Sequence, residues 1–246
     1  MCGRFVSFMP PEAVHALFRA LNPVVNHAAS WNVAPTQPAL VVRRHPATGA
    51  RHLDRLHWGL VPHFTTDLKA ARKPINARSE TAATMGLFRG ALAARRCLIP
   101  ADAFYEWRTM PDGKQPYAIA RRDGTPAVFA GIWEGWRTSD GEALRTFAIL
   151  TTRANATMAA LHKRMPVILD PDDWPLWLGE TGSQAGDEAG GKASTLLRPA
   201  PDDALHLWPV SRAVNSVRND GATLLDRVDF PAAPPASEAL PGANPA

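Results

Sequence analysis

Apolar side chains recur at helical spacing near the start of the chain and in short strand-like runs after it. Val14, Phe18 and Leu21 lie three or four positions apart behind Pro11, which a first helical turn tolerates, so residues 11–21 are predicted to form a helix. The later runs are bounded by turn residues and are typical of strands. They cover residues 39–44, 52–58, 104–108, 116–121, 127–133 and 145–152.

Turn residues separate several neighbouring runs. Pro-Asp-Gly at 111–113, Asp-Gly at 123–124 and Asp-Gly at 140–141 are typical of the tight turns that join antiparallel strands. A series of such hairpins would bury one face of each strand. The runs and turns together predict a mainly antiparallel β-sheet or a barrel-like core.

Further helices are predicted between and after the strands. They cover residues 87–95, 155–162 and 171–178, with Asn155 as the N-cap of the second and Pro171 in the first turn of the third. The predicted fold class is therefore α+β, a single domain whose antiparallel core is flanked by helices.

Two segments lack the periodicity of packed elements. Residues 179–194 are polar and rich in glycine, which predicts a flexible surface insertion within the domain. Residues 231–246 are rich in proline and alanine and have few large apolar side chains, which predicts a disordered tail. We therefore expect one folded domain over residues 2–230.

The composition of the chain is typical of a globular protein without membrane spans. Of the 246 residues, 46% are hydrophobic and 20% charged, and no run of about 18 apolar residues suggests a membrane span. The start of the chain lacks the layout of a secretory signal, so we expect a cytoplasmic protein, associated with the nucleoid in a bacterium or nuclear in a eukaryote. We also expect it to be a monomer. Two cysteines are too few for a disulfide framework or a cysteine-built zinc site, and no cofactor is indicated.

The charge is distributed unevenly along the chain. Residues 1–100 carry 13 Lys and Arg against 4 Asp and Glu, whereas the remainder carries 14 against 19. Six of the eight histidines also lie in the first hundred residues. The first part of the chain is therefore expected to face an acidic partner, and on charge alone both nucleic acid and a merely solvated basic surface stay open.

Cys2 offers a chemistry that no internal cysteine has, provided that Met1 is removed. An N-terminal cysteine carries an α-amine with a reference pKa of about 8 beside a thiol with a reference pKa of about 8.5, so both are nucleophilic near neutral pH. The amine condenses with an aldehyde to an imine, and the thiol then adds to the imine and closes a five-membered thiazolidine ring. Cys97 lies in an apolar stretch and is expected to be an inert, buried thiol.

A set of short strings follows one another in a specific order. The chain starts with Met-Cys-Gly-Arg-Phe at residues 1–5. The others are Asn-Val-Ala-Pro-Thr at 32–36, Trp-Gly-Leu-Val-Pro at 58–62, Ile-Asn-Ala-Arg-Ser-Glu-Thr at 75–81, Cys-Leu-Ile-Pro-Ala at 97–101, Phe-Tyr-Glu-Trp at 104–107, His-Lys-Arg-Met-Pro at 162–166 and Pro-Val-Ser at 209–211. Each is weak alone, but the ordered set resembles the SOS-response-associated peptidase (SRAP) family over about residues 2–228.

This resemblance implies covalent capture of abasic sites in single-stranded DNA through a thiazolidine link to Cys2, which protects the lesion during the DNA damage response. Glu106 matches the family's acid-base carboxylate, and its apolar neighbours are expected to raise its pKa, whereas a lone Glu would be an exposed strand residue. His162 matches a histidine near the site, the alternative being a helix-end histidine. Asn76 matches the amide that orients the adduct, although alone it would be a turn residue.

The resemblance also implies contacts with DNA. Arg4, Arg78 and Arg164 are expected to hold phosphates on either side of the lesion, because a planar guanidinium can donate two hydrogen bonds to one phosphate. Each of the three is otherwise an ordinary surface arginine. Thr151 is expected to line the site. Phe64 stands where the family commonly has a tryptophan wedge, and its smaller ring makes stacking there weaker.

Two other functions stay open. A cysteine peptidase, acting on other proteins or only on its own N-terminus, would use Cys2 as nucleophile, His162 as base and Asn76 as orienter. A noncovalent reader of modified bases would leave the N-terminal cysteine unused. Cleavage of a peptide substrate, compared with formation of an aldehyde-dependent adduct, separates these functions.

Overall fold

The computed structural model describes residues 2–137, 141, 143–181 and 188–229, which form two β-sheets and several short helices. The strands are β1 (Phe5–Ser7), β2 (Ser30–Val33), β3 (Pro38–Arg44), β4 (Arg51–Trp58), β5 (Asn76–Arg78), β6 (Arg96–Ala101), β7 (Ala103–Met110), β8 (Gly113–Arg121), β9 (Ala127–Arg137), β10 (Ala143–Arg153), β11 (Arg164–Pro166) and β12 (Leu205–Pro209). The α-helices are α1 (Pro11–Phe18), α2 (Ser79–Ala82), α3 (Gly86–Ala94), α4 (Ala156–Ala159) and α5 (Trp174–Leu178).

One of the two sheets closes on itself. Its strand order is β11-β10-β4-β3-β6-β9, and β9 also pairs with β10, so that β10, β4, β3, β6 and β9 form a ring. Pairing in this sheet is antiparallel except where β10 runs parallel to β4 and β5. The other sheet, with the order β12-β8-β7-β1-β2, is antiparallel. The α+β class with a mainly antiparallel, barrel-like core is therefore confirmed.

The two sheets meet through their apolar faces. Phe5 and Phe104 of the open sheet share a buried cluster with Trp58 and Phe147 of the closed sheet. The rings of Phe5 and Trp58 pack edge to face, with centroids 5.1 Å apart. Because fully burying one large apolar side chain stabilises the fold by roughly 1.5–3 kcal/mol, this cluster fixes the start of β1 against the closed sheet.

Helices cover the outer surface of the ring. Phe18 of α1, Phe88 of α3 and Trp177 of α5 belong to a second buried cluster that also contains Leu98 of β6. The indole Nε1 of Trp177 donates a hydrogen bond to the carbonyl oxygen of Cys97 at 2.8 Å. The helices therefore lie on the side of the closed sheet that faces away from the open sheet.

Two of the three predicted hairpins are confirmed. Residues 111–113 turn β7 back onto β8, and β9 pairs with β10 across a turn of which residues 138–140 and 142 lie outside the described part. The hairpin predicted at 123–124 is wrong, because β8 and β9 belong to different sheets. The helix predicted to reach Leu21 ends at Phe18, because Arg19 adopts a left-handed conformation with φ 52°.

The two segments predicted to lack packed structure are only partly described. Within the predicted insertion, residues 182–187 lie outside the described part, whereas Glu188–Leu196 form a 3-10 helix beside α3. Ala193 and Leu196 are buried in the cluster under the helices, so the end of this segment is packed. Residues 231–246 lie outside the described part. Among the helices that the structure describes, none is long and apolar enough to cross a membrane.

Candidate functional site

Cys2 lies at the junction of the two sheets. Gly3 and Arg4 separate it from β1, and the backbone N–H of Tyr105 in β7 donates to the carbonyl oxygen of Arg4 at 3.0 Å, which aligns the start of the chain with β7. From the closed sheet, the side-chain Nδ2 of Asn76 donates to the carbonyl oxygen of Cys2 at 2.8 Å. The fold therefore holds Cys2 between a residue of β5 and the strand that carries Glu106.

The thiol of Cys2 is shielded from solvent and lies close to a carboxylate. Cys2 is 0% exposed and Glu106 is 3% exposed. Burial raises the pKa of the Cys2 thiol well above its usual value, and the nearby charge of Glu106 raises it further. The thiol is therefore protonated at neutral pH, so a reaction at sulfur needs a group that accepts this proton.

Glu106 also faces a surface cavity of about 390 Å³. His162 lines the same cavity, together with Trp107, Lys114 and Asn215. The cavity is large enough for a sugar and is bordered by an acid, an imidazole and an exposed amine. Glu106 thus connects the buried Cys2 with an open space that carries a second titratable group.

A short helix and its cap hold His162 in place. Asn155 caps α4 by accepting a hydrogen bond from the backbone N–H of Met158 at 2.9 Å. The backbone N–H of His162 donates to the carbonyl of Met158 at 3.0 Å, and ring Nδ1 accepts from the backbone N–H of Arg164 at 3.0 Å. Nδ1 also lies 3.2 Å from the carbonyl oxygen of Arg164, so the backbone of Arg164 fixes the orientation of the ring. His162 lies beyond the end of α4, so its position is set by these contacts.

Three further predicted residues lie together at one end of β10. Thr151 pairs with Arg78 of β5 in the parallel direction and with Pro166 of β11 in the antiparallel direction. Thr151 is fully buried, Arg78 is exposed, and Arg164 donates to the Thr151 carbonyl oxygen at 2.5 Å. Within the part of the chain that the structure describes, Arg78 makes no side-chain hydrogen bond or ion pair, so its guanidinium is available to a ligand.

Arg4 is engaged within the protein. Its NH1 donates to the side-chain oxygen of Asn32 at 2.7 Å and to the carbonyl of Val214 at 2.8 Å, and NH2 donates to the carbonyl of Asn215 at 3.2 Å. Partial burial lowers the pKa of its guanidinium. These contacts tie the start of β1 to residues near the C-terminal end of the described chain, while a phosphate contact by Arg4 stays a prediction.

Phe64 lies on a loop that is anchored to β9. Its side chain is 59% exposed, and its ring packs edge to face on His63 with centroids 5.3 Å apart. The indole Nε1 of Trp136 donates to the carbonyl of Thr65 at 2.8 Å. The loop therefore presents an exposed ring, and Phe64 does not line the cavity beside Glu106, so its stacking role stays a prediction.

The structure adds residues that the sequence did not indicate. Lys114 and Asn215 line the cavity, and Asn215 is held by a hydrogen bond of 2.7 Å from the indole Nε1 of Trp107. Lys114 follows a hairpin turn and Asn215 lies in a short 3-10 helix, positions where polar residues are common. No local pattern could therefore have identified either of them.

Comparisons with known proteins place this geometry among related chains. Residues 1–217 match the family model described as SOS response associated peptidase (SRAP). The abasic site processing protein YoqW of Bacillus subtilis is 35% identical over 229 residues, which cover 92% of this chain and 99% of the relative. YedK of Escherichia coli is 34% identical over 93% of this chain and 100% of the relative. HMCES of Gallus gallus is 34% identical over 78% of this chain and 64% of the relative. YedK and HMCES are likewise named abasic site processing proteins.

Solved structures share the fold. A protein from Bacteroides thetaiotaomicron superposes with a TM-score of 0.80 over 92% of this chain and 100% of its own, at 22% identity. A protein from Bordetella bronchiseptica superposes with a TM-score of 0.71 over 85% of this chain and 100% of its own, at 29% identity. The first likeness shows the fold alone, and both agree with one α+β unit.

Proposed function

This chain belongs to the SOS response associated peptidase (SRAP) family, and from that premise we propose that it captures abasic sites in single-stranded DNA through a covalent thiazolidine link to Cys2. The observation that carries the proposal is the position of Cys2, which Asn76 holds by a hydrogen bond at the start of a segment paired with the strand that presents Glu106 to the cavity. The names of the related abasic site processing proteins support DNA with abasic sites as the substrate.

The proposed reaction releases one water molecule and involves no oxidation or reduction. After removal of Met1, the α-amine of Cys2 adds to the aldehyde carbon of the open sugar to give a carbinolamine. Loss of water gives an imine, and the Cys2 sulfur then adds to the imine carbon while the thiol proton passes to nitrogen. Two bonds to the former aldehyde carbon result, one from nitrogen and one from sulfur.

Glu106 is suited to the proton transfers in this sequence. The aldehyde is stored as a closed hemiacetal, whose opening requires a proton to leave the hydroxyl and another to reach the ring oxygen. The carbinolamine must also gain a proton before water departs. Glu106 lies near enough to Cys2 for its charge to raise the pKa of the thiol, and it also lines the cavity, so one carboxyl group serves the region between the nucleophile and the incoming sugar.

The side-chain oxygen of Asn76 is, among the described residues, a free acceptor that could hold a nitrogen of the adduct. Its Oδ1 is buried and lacks a hydrogen bond within the described residues, while its Nδ2 holds the Cys2 carbonyl. A buried acceptor without a donor costs about 1–3 kcal/mol. The α-amine of processed Cys2, or the ring N–H of the thiazolidine, is the kind of donor that would remove this cost.

The arrangement favours capture over peptide cleavage. In a Cys-His peptidase, the amide would orient the histidine that activates the thiol. Here the Asn76 Nδ2 donates to the Cys2 carbonyl, and the His162 Nδ1 accepts from a backbone N–H. Both groups are thus held by the main chain and not by each other.

Covalent capture is tested with uracil-containing single-stranded DNA that has been treated with a uracil glycosylase. Wild-type protein is expected to form a species that survives denaturing electrophoresis, and the untreated strand is expected to form none. Cleavage of an unrelated peptide, without any adduct that depends on the aldehyde, would contradict covalent capture.

Arg78→Ala is expected to weaken binding to intact single strands and to make it less dependent on salt. Each phosphate that the protein neutralises releases counterions, so loss of one contact should reduce the slope of log affinity against log salt by about 0.7–1. The measurement is fluorescence anisotropy across a salt series. Arg89→Ala, an exposed residue of α3 on the other side of the closed sheet, is the control. An equal change in both variants would show that Arg78 acts only through overall charge.

His162→Ala is expected to change how fast the adduct forms and reverses, with little effect on affinity for intact strands. A positioned acid-base group contributes about 10²- to 10⁴-fold to a rate. Single-turnover formation is measured first, and then release of purified adduct in the presence of excess unlabelled competitor. His206→Ala serves as control because this histidine stacks on Trp208 outside the cavity. Reduced affinity with unchanged rates would limit His162 to a DNA contact.

A further inference from the structure

Glu80 occupies the face of Arg164 that a phosphate would need. It is the second residue of α2, which follows directly after β5. Its Oε1 accepts from Arg164 NH1 at 3.0 Å and its Oε2 accepts from NH2 at 2.8 Å. This two-point pairing of a carboxylate with a guanidinium has the geometry with which arginine also binds a phosphate.

The remaining donors of Arg164 are almost fully used. Nε donates to the Thr151 hydroxyl at 3.3 Å, and NH2 donates to the Thr151 carbonyl at 2.5 Å. A guanidinium has five N–H groups. Glu80 takes two and Thr151 takes two, so one N–H on NH1 is left for an external ligand. A phosphate therefore cannot form a two-point contact with Arg164 while Glu80 stays in place.

The two partners of Arg164 differ in how easily they can leave. Thr151 is fully buried and belongs to the closed sheet. The Glu80 side chain is 51% exposed, so it can rotate into water. Its pKa is lowered by the hydrogen bonds from Arg164, which keeps it ionised at neutral pH. Thr151 would continue to hold the guanidinium after the carboxylate departs.

We propose that Glu80 stands in for a DNA phosphate on Arg164 and must be expelled by the DNA backbone before the lesion reaches the site. The proposal rests on the proposed function, because it assumes that Arg164 contacts a phosphate. Glu80 thereby limits noncovalent binding to intact strands and makes lasting attachment depend on the covalent bond. It is a specificity-determining residue that acts through Arg164.

Glu80→Gln is expected to tighten binding to an intact, abasic-free single strand by about twofold to fivefold at low salt, the range of an exposed ion pair. In the wild-type protein, the expelled Glu80 takes up a cation from solution, which offsets part of the counterion release from DNA. Glu80→Gln removes this uptake, so the slope of log affinity against log salt should become steeper by up to about 0.7. The probe is a fluorescently labelled oligonucleotide, measured by anisotropy. Asp123→Asn is the matched control, because it removes one carboxylate from the exposed ion pair with Arg121.

Three results would overturn the proposal. Weaker or unchanged binding in Glu80→Gln would mean that Glu80 only positions Arg164. A gain that persists in an Arg164→Gln background would mean that Glu80 acts through general charge. An equal gain in Asp123→Asn would mean the same. If Glu80→Gln lowers the melting temperature strongly, Glu80→Asp replaces it, because the shorter side chain keeps the charge but loses the two-point contact.

The same experiment separates this proposal from the proposed function. Binding to an intact strand needs no reaction at Cys2. If the wild-type protein forms no adduct but Glu80→Gln still tightens binding to the intact strand, only covalent capture is contradicted. If the wild-type protein forms the adduct but Glu80→Gln leaves binding unchanged, only the displacement of Glu80 is contradicted.

Discussion

Replacing Cys2 by Ala is expected to abolish the denaturant-resistant adduct with abasic single-stranded DNA. The α-amine remains in this variant, so an imine can still form, but no sulfur is present to close the thiazolidine ring. An imine alone is hydrolysed when the protein is denatured in water. The measurement is denaturing electrophoresis of single-turnover reactions, in which the wild-type adduct persists and the variant shows none.

Cys97→Ala is the matched control for this loss. Cys97 is as fully buried as Cys2, and burial likewise raises the pKa of its thiol. It lies in β6 within the chain, so it has no α-amine to offer. Its variant should form the adduct at the wild-type rate. A protein with one extra residue retained ahead of Cys2 should fail, because its α-amine is tied up in an amide. Equal loss in Cys2→Ala and Cys97→Ala would contradict the assignment.

Glu106→Gln is expected to slow adduct formation by about 10²- to 10⁴-fold, the contribution of a positioned acid-base group. The amide keeps the shape of the side chain but cannot exchange a proton with the sugar or the thiol. Affinity for abasic-free single strands should stay close to that of the wild type. Single-turnover crosslinking and anisotropy, measured on the same preparation, separate the two effects.

Glu134→Gln is the control for losing a buried carboxylate. Glu134 is also 3% exposed, but it pairs with Arg95 at 2.6 Å and does not line the cavity beside Glu106. The Glu134→Gln substitution should lower thermal stability without slowing adduct formation. If Glu106→Gln instead loses stability or DNA affinity while its adduct forms at the normal rate, Glu106 has a structural role.

The strands that were predicted from the sequence are those with strong local signals. The 111–113 turn lies between two long runs, and both strands of that hairpin form as expected. β1 and β5 have only three residues each, too few for an alternating pattern to be visible. The pairing of β10 with β4 and β5 in the parallel direction joins residues far apart along the chain, which hairpin signals cannot predict.

The candidate site was predicted from ordered strings, whereas its contacts depend on the fold. The strings named Cys2, Asn76, Glu106 and His162. The structure joins Cys2 to Asn76 by a hydrogen bond and puts Glu106 and His162 in the lining of one cavity. Glu80 lies within one of the strings, yet its role depends on a partner 84 positions away along the chain. Local sequence carries no signal for such a pair.

The most direct test of covalent capture is mass spectrometry of the adduct after nuclease and protease digestion. The peptide that begins with Cys2 should carry the mass of the abasic sugar remnant less one water molecule, and its thiol should resist alkylation because sulfur is part of the ring. Attachment to a lysine such as Lys114, or a modified Cys2 peptide whose thiol is still alkylated, would contradict the thiazolidine link.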